Sequence, residues 1–489
     1  MASERAPAGR RALIGRPGLS VLALGVVLLV TTALRFTVNR DQPLWLDETW
    51  TAMTVSRPTL RDLAHELHQD VNAPLYYLLA WVAAPGLGLS NAALRLPAAL
   101  FGALAPVVCL WLPDRRLGRL WCALSALWVA GLIYSQEARC FTLVWALCTA
   151  STVAFARLLA RPRPGGAALW VGLATLAVLT HYFAAWLALA QAGVLAWRLG
   201  RGVFRLWPAA LVALPGLAWL AFHAPRIAEF AALGDSWYPR LTFWTALNLA
   251  REAAGSDLLA GLALGIGGAL LWRRAGARAL PLSPAETAAL ASVVAAALVL
   301  ALDLVHPSLT ARYLFAFAPG LLLGLAALAL RPDRALRGGP ALLVGAFAIS
   351  AALWAATRPV PLSRNFSWEG ASAWIMQTNP ARLVFVWDNP TSPIIWPDSM
   401  ARAGGFFFQR AGRALPADAV TRLGGDPNAI LRPLPAEVAI IWIYDSTVNG
   451  TAAVAHPPDL AAPGRECRRF GRWWMNVYAC RPAHRPVAG

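Results

Sequence analysis

Long apolar stretches alternate with short loops whose basic residues are all arginine, and that alternation leaves few folds open to the chain. A membrane-crossing helix needs about 20 apolar residues. Stretches of this kind recur at roughly 18–36, 93–112, 120–135, 140–158, 167–183, 185–198, 207–224, 257–272, 285–304, 313–330 and 340–357. Of the 489 residues, 58% are hydrophobic and only 14% charged. A soluble domain of this length carries more charge, so composition points to a polytopic helical membrane protein with about eleven spans.

A formal net charge of +18 would suggest nucleic-acid binding if it were gathered on one domain. It is spread instead over the short loops, the pattern of a positive-inside topology, and no nucleic-acid partner is expected. The basic N-terminus MASERAPAGRRALIGR runs into the first apolar stretch, and no small-residue cleavage site follows. The first span is therefore read as uncleaved, with its N-terminus in the cytoplasm.

PLYYLLAWVAAPGLGL (74–89) decides the parity of everything after it. If it crossed, Arg115, Arg116, Arg119, Arg161, Arg163, Arg331, Arg334 and Arg337 would all face outward. Laid on the membrane, it puts all of them in the cytoplasm with Arg198, Arg201, Arg205, Arg273, Arg274 and Arg278. The second arrangement is adopted. Residues 37–92 then form an external loop with two surface helices, the amphipathic TLRDLAHELHQD (59–70) and 74–89.

Residues 1–357 are read as the membrane domain and 358–489 as a small external α/β domain. In the latter, RLVFVWD (382–388) and EVAIIWIYD (437–445) read as strands, WEGASAWIMQ (368–377) as a short helix and CRRFGRWWMNVYAC (467–480) as a hairpin. Cys467 and Cys480 are disulfide candidates in an oxidising compartment. Trp374, Trp387, Trp396, Trp442, Trp473 and Trp474 are either core or a stacking platform for a glycan.

On this topology the ionisable residues other than Arg gather at external ends of spans: Asp47, Glu48, Asp70, Glu137, His181, His223, Asp235, Asp303 and His306. Such groups near membrane depth are costly and tend to mark function. Adjacent carboxylates in LWLDETW (44–50) stand between Trp45, Leu46 and Trp50, so a low-dielectric pocket there can make one a general base or a cation ligand.

The ordered set LWLDETW, DVNAPLYYLL (70–79), LRLPAALFG (94–102), IYSQEAR (133–139), THYF (180–183) and TARYLF (310–315) resembles the bacterial GT-C glycosyltransferases. Protein O-mannosyltransferases, lipid A aminoarabinose transferases and rhizobial lipopolysaccharide galacturonosyltransferases are the nearest of these. The resemblance runs from about residue 15 to 330, without the lysine that some relatives use. It implies an inverting enzyme of the cytoplasmic (inner) membrane. That enzyme takes one sugar from a polyprenyl-monophosphate donor and passes it, outside the cytoplasm, to a glycan, lipid or protein acceptor. Asp47 takes the family's catalytic position, with Glu48 beside it. One carboxylate suffices for inversion, whereas retention needs two. The leaving phosphate needs charge stabilisation, and Arg139 and Arg312 are the candidates. Asn72 and Tyr76 are placed to meet the sugar or lipid head, Glu137 to orient Arg139 or the acceptor, and His181, His306 and Tyr313 to line the phosphate site. No cofactor is required; a divalent cation held by Glu48, His181 and His306 is the alternative.

Two further readings stand beside it. A flippase or transporter for a lipid-linked sugar would also show many spans, but transporters favour internal repeats and sites at the bilayer midplane. A non-catalytic envelope-assembly subunit would tolerate loss of the Asp47–Glu48 pair.

Overall fold

The computed structural model describes residues 21–232, 240–262, 282–330, 339–357, 367–378, 383–387, 399–415, 420–423, 438–443, 465–472 and 475–482. Helical segments cover every expected span, although two helices divide 120–135, and of 257–272 only residues 257–262 are described. In chain order the helices are α1 (Val21–Thr37), α2 (Leu46–Val55), α3 (Leu60–Gln69), α4 (Leu75–Leu87), α5 (Asn91–Val108), α6 (Arg115–Leu127), α7 (Val129–Tyr134), α8 (Phe141–Ala160), α9 (Pro164–Thr180), α10 (Ala184–Leu199), α11 (Leu214–Ala232), α12 (Phe243–Ala254), α13 (Pro284–Asp303), α14 (Ala318–Leu330) and α15 (Gly339–Thr357). Among the described residues, five helical stretches are long and apolar enough to cross a membrane, and α1, α4, α9 and α14 are shorter apolar helices. Large apolar side chains such as Leu22, Leu29, Trp197, Phe204, Leu342 and Leu353 are exposed on the helices, as lipid contact requires.

Local chemistry sets the helix ends. Ser90 caps α5 by accepting from the Ala93 amide at 3.2 Å, and Asp114 caps α6 by accepting from the amides of Arg116 at 2.9 Å and Leu117 at 3.0 Å. A full capping box opens α13: Ser283 accepts from the Glu286 amide at 3.2 Å, and Glu286 accepts from the Ser283 amide at 2.9 Å. The expected span at 120–135 is broken. Trp128 adopts an extended backbone (ψ 115°) between α6 and α7, and its indole N–H donates to the Ala253 carbonyl at 3.0 Å. Spans expected at 207–224 and 313–330 open with 3-10 turns, at Gly200–Ala213 and Ala311–Ala316.

Hydrogen bonds at the two ends of the bundle fix how the helices alternate. At one end Arg157 donates to the Trp111 carbonyl, and Arg198 donates to the Leu282 carbonyl at 3.1 Å and to Thr287 Oγ1 at 2.5 Å. At the other end lie the start of α2, the start of α5 and the loop before α8. Tyr77, early in α4, receives a hydrogen bond from Arg139 at 3.2 Å, and Asn91, which opens α5, donates to the Gln42 carbonyl at 3.2 Å. So α4 leaves from and returns to the same end of the bundle. The amphipathic 59–70 segment is α3, which buries Leu63 and Leu67 against Tyr77.

Beyond α15 come α16 (Trp368–Thr378), β1 (Leu383–Trp387), α17 (Ser399–Arg410), β2 (Val420–Leu423), β3 (Val438–Ile443), β4 (Arg465–Arg472) and β5 (Met475–Pro482). The strands form a five-stranded sheet in the order β2-β1-β3-β5-β4. β1 runs parallel to β2 and β3, while β5 runs antiparallel to β3 and β4. Both strands expected at 382–388 and 437–445, the short helix and the hairpin are present. Cys467 and Cys480 face each other across β4 and β5 and are joined by a disulfide with Cα atoms 4.0 Å apart. Trp396, Trp473, Trp474 and Asp235 lie outside the described residues.

Candidate functional site

The first turn of α2 carries both carboxylates of LWLDETW, where the helix dipole favours negative charge. Successive positions on a helix point about 100° apart, and Asp47 and Glu48 accordingly go to different partners.

Glu48 is fully buried. Its Oε1 accepts from Arg95 Nε at 2.7 Å and from the Ala138 amide at 2.9 Å; its Oε2 accepts from Arg95 Nη2 at 2.7 Å and from the Trp45 amide at 3.3 Å. Arg95, equally buried, spends its remaining donors on the carbonyls of Asn39, Arg40, Gln42 and Pro43. This bidentate pair locks the incoming loop, α2, α5 and the loop before α8 together. Arg95 belongs to LRLPAALFG, but nothing in the sequence distinguished it from any other span-end arginine.

Asp47 points the other way and stays partly accessible, with 21% of its side chain exposed. Its Oδ2 receives a hydrogen bond from Arg312 Nη1 at 2.7 Å and lies 3.7 Å from Arg139 Nη2. Arg139 also donates to the Asp47 carbonyl at 3.3 Å. One carboxylate thus holds two guanidiniums, one from the loop before α8 and one from the 3-10 turn before α14. Aromatic rings wall the cluster: Arg312 lies 5.7 Å from the Trp45 ring centroid and 5.9 Å from those of Phe141 and Tyr313. Burial pushes the Tyr77 phenol well up, so it meets Arg139 as a neutral hydroxyl.

His181 is drawn in as well. α9 ends at Thr180, so His181 lies just past the helix, where its extended backbone (φ −159°) turns the chain toward Phe183. Its ring sits 4.8 Å from Tyr313, and its Nδ1 accepts from the Phe183 amide at 3.3 Å. Burial first, then the guanidiniums of Arg139 and Arg312, lower its pKa to about 3. It is a neutral imidazole at any physiological pH.

The other expected residues divide. Glu137 and Tyr76 are buried beside the cluster. Asn72 donates to both carboxylate oxygens of Asp70, at 2.9 and 3.0 Å, and so shapes the turn into α4. His306 is exposed after α13. Among the described residues no three of His, Cys, Asp and Glu come together as a metal site. Glu48, His181 and His306 therefore do not converge as cation ligands. Glu48 is satisfied by Arg95, and a cation beside His181 would face two guanidiniums. Trp45, read in the sequence as a flank of the carboxylate pair, walls the site, and Tyr77, Phe141 and Phe183 join it without having been singled out in the sequence.

Glu369 of α16 also reaches this end. Its Oε2 accepts from the Leu44 amide at 3.1 Å and from Asn91 Nδ2 at 2.8 Å, and its Oε1 accepts from Arg410 of α17. Arg402 of α17 pairs with Glu66 of α3, which Arg57 also meets at 2.7 Å.

No protein-family model matches the chain, and no curated protein does. Solved structures do. The crystal structure of ArnT from Cupriavidus metallidurans in the apo state superposes with a TM-score of 0.55 at 13% identity, over 94% of this chain and 97% of that one. The same protein bound to undecaprenyl phosphate gives 0.54 at 14% identity, over 95% and 99%. From the first helix to the C-terminal sheet, the chain has the fold of these two structures.

Proposed function

We propose that the protein is an inverting glycosyltransferase that moves a single sugar from a polyprenyl-monophosphate donor to an acceptor hydroxyl at the outer face of the cytoplasmic membrane. The convergence of Asp47 with Arg312 and Arg139 carries this reading, because it supplies the two groups such a reaction needs. A base must take the proton of the attacking hydroxyl as the new bond to the anomeric carbon forms. The bond from that carbon to the phosphate oxygen breaks on the opposite face, and its electrons leave with the phosphate. A phosphate monoester has a second pKa of about 6, so it departs without being protonated, but its charge must be held. Two guanidiniums set against aromatic rings hold it well.

Asp47 keeps both guanidiniums near one point before the lipid arrives, and an incoming phosphate meets their positive charge there. Glu48 then serves as a positioning residue, through Arg95, and Tyr76, Glu137, His181 and Tyr313 line the pocket. The ArnT neighbour holds undecaprenyl phosphate, a ligand of the chemistry proposed here. The C-terminal sheet stands on the same external side as the site, and 1–357 and 358–489 act as the membrane and external domains.

The test is transfer from a radiolabelled polyprenyl-phosphate sugar pool in membranes, with Asp47→Asn compared at equal expression. Losing a required base lowers transfer by about 10²–10⁴-fold. Equal transfer by both proteins removes Asp47 from the chemistry. No transfer from any monophosphate donor, with lipid-linked sugar shifting between leaflets, replaces the enzyme with a transporter.

A further inference from the structure

A further carboxylate stands near this site, on a helix to which no motif pointed. α12 packs against α7 and against the 3-10 turn that carries Arg312. Its C-terminal end is pinned there. The Ala253 carbonyl accepts from Trp128 Nε1 at 3.0 Å, and Gly255, at φ +79°, lies so close that a Cβ would come within 2.3 Å of the Ala130 amide nitrogen. Trp128 in turn packs on Phe315, with ring centroids 4.6 Å apart. Residues three apart in a 3-10 helix eclipse one another, so Arg312 and Phe315 share a face. The chain of contacts Ala253, Trp128, Phe315 brings Glu252 to the Arg312 face from the α12 side, while Asp47 approaches from the α2 side.

Glu252 is exposed, and among the described residues no hydrogen bond or ion pair holds its carboxylate, while its carbonyl accepts from the Gly255 amide at 3.1 Å. Its sequence neighbour Arg251 is committed elsewhere, to Asp257 by two hydrogen bonds of 2.6 and 3.0 Å. Desolvation by the surrounding protein raises the Glu252 pKa against the opposing pull of Arg312, then of Arg251.

We propose that Glu252 binds the lipid-borne sugar, accepting hydrogen bonds from its hydroxyl groups while Arg312 and Arg139 hold the phosphate. A carboxylate and a phosphate repel, so Glu252 faces the other end of the donor head group, and the sugar is one bond beyond the phosphate. The inference rests on the polyprenyl-phosphate reading and extends it to donor recognition.

The experiment measures binding of two probes to the purified full-length protein in nanodiscs. The probes are undecaprenyl phosphate and the radiolabelled polyprenyl-phosphate sugar pool extracted from membranes. With Glu252→Ala and Glu252→Gln, affinity for the sugar-bearing lipid falls by about 10- to 100-fold, the scale of a hydrogen bond to a charged group, while affinity for the bare lipid is unchanged. Glu252→Asp recovers part of the loss, which a folding defect would not allow. Equal affinity of parent and variants for the sugar-bearing lipid overturns the inference alone. Equal loss for both lipids overturns it too, since Glu252 would then act on the phosphate site. A parent that binds neither lipid removes the donor reading and this inference together.

Discussion

At the residue scale, two adjacent carboxylates have opposite surroundings, and that difference separates the roles proposed for them. Breaking a buried ion pair by removing one partner costs about 3–5 kcal/mol, because the other charge is left unpaired. Glu48→Ala should therefore lower the melting temperature sharply, and Glu48→Gln less so, since it keeps an acceptor for the Ala138 amide. Asp47→Asn should leave the melting temperature near that of the parent while abolishing transfer. An inactive but fully stable Glu48→Gln would instead put Glu48 in the chemistry. His181 gives a pH dependence with a definite sign. Its pKa falls from 6.5 to about 3 on folding, so the unfolded chain binds the proton more readily. The stabilisation is complete above about 6.5 and is lost as pH falls toward 3. At pH 5, 1.5 units below 6.5, linkage makes the loss about 2 kcal/mol. Thermal melts at pH 7 and 5 should show a larger drop for the parent than for His181→Phe; parallel drops would remove the imidazole from the account.

At the element scale, the sequence was legible where one element explains itself. The amphipathic run of 59–70, the short helix at 368–377 and the 467–480 hairpin all carry their periodicity and end signals locally, and each formed as read. What stayed hidden depends on partners far along the chain. Trp128 breaks a helix to reach Ala253, 125 residues away, and no window of sequence contains that contact. The role of Arg95 was hidden for the same reason, since its partner Glu48 is 47 residues distant. Glu369, 325 residues from Leu44, fastens the start of the Asp47 loop to α16 and α17. Small displacements of a reacting group cost large factors in rate, up to about 10² for 1 Å. Glu369→Ala should therefore lower the transfer rate by about tenfold with little change in donor KM. Hydrogen exchange should rise through residues 44–69. Unchanged rate and exchange would show that the loop holds its place without the C-terminal unit.

At the scale of the whole molecule, charge and chemistry segregate to opposite ends of one helical bundle. The helix ends around Trp111, Arg157 and Arg198 are joined by arginine bonds to backbone carbonyls, whereas Asp47, Glu48, Arg95, Arg139 and Arg312 gather at the other. The positive-inside rule is what leads one to expect that division from arginine positions, and α4 begins and ends at one end of the bundle. The direction proposed for the bundle follows from the same rule: the arginine end toward the cytoplasm, the Asp47 end and the disulfide-linked hairpin outward. Single cysteines can report it, because Cys109, Cys122, Cys140 and Cys148 are buried and Cys467 is bridged to Cys480. Ala64→Cys places a thiol on the exposed face of α3, and Gly165→Cys places one at the opposite end, with nothing within 4 Å of its Cβ. A membrane-impermeant maleimide should label Ala64→Cys in intact spheroplasts and Gly165→Cys only after permeabilisation. The reverse pattern would put the site in the cytoplasm, where a base and phosphate clamp at head-group height would draw on the inner leaflet's lipids.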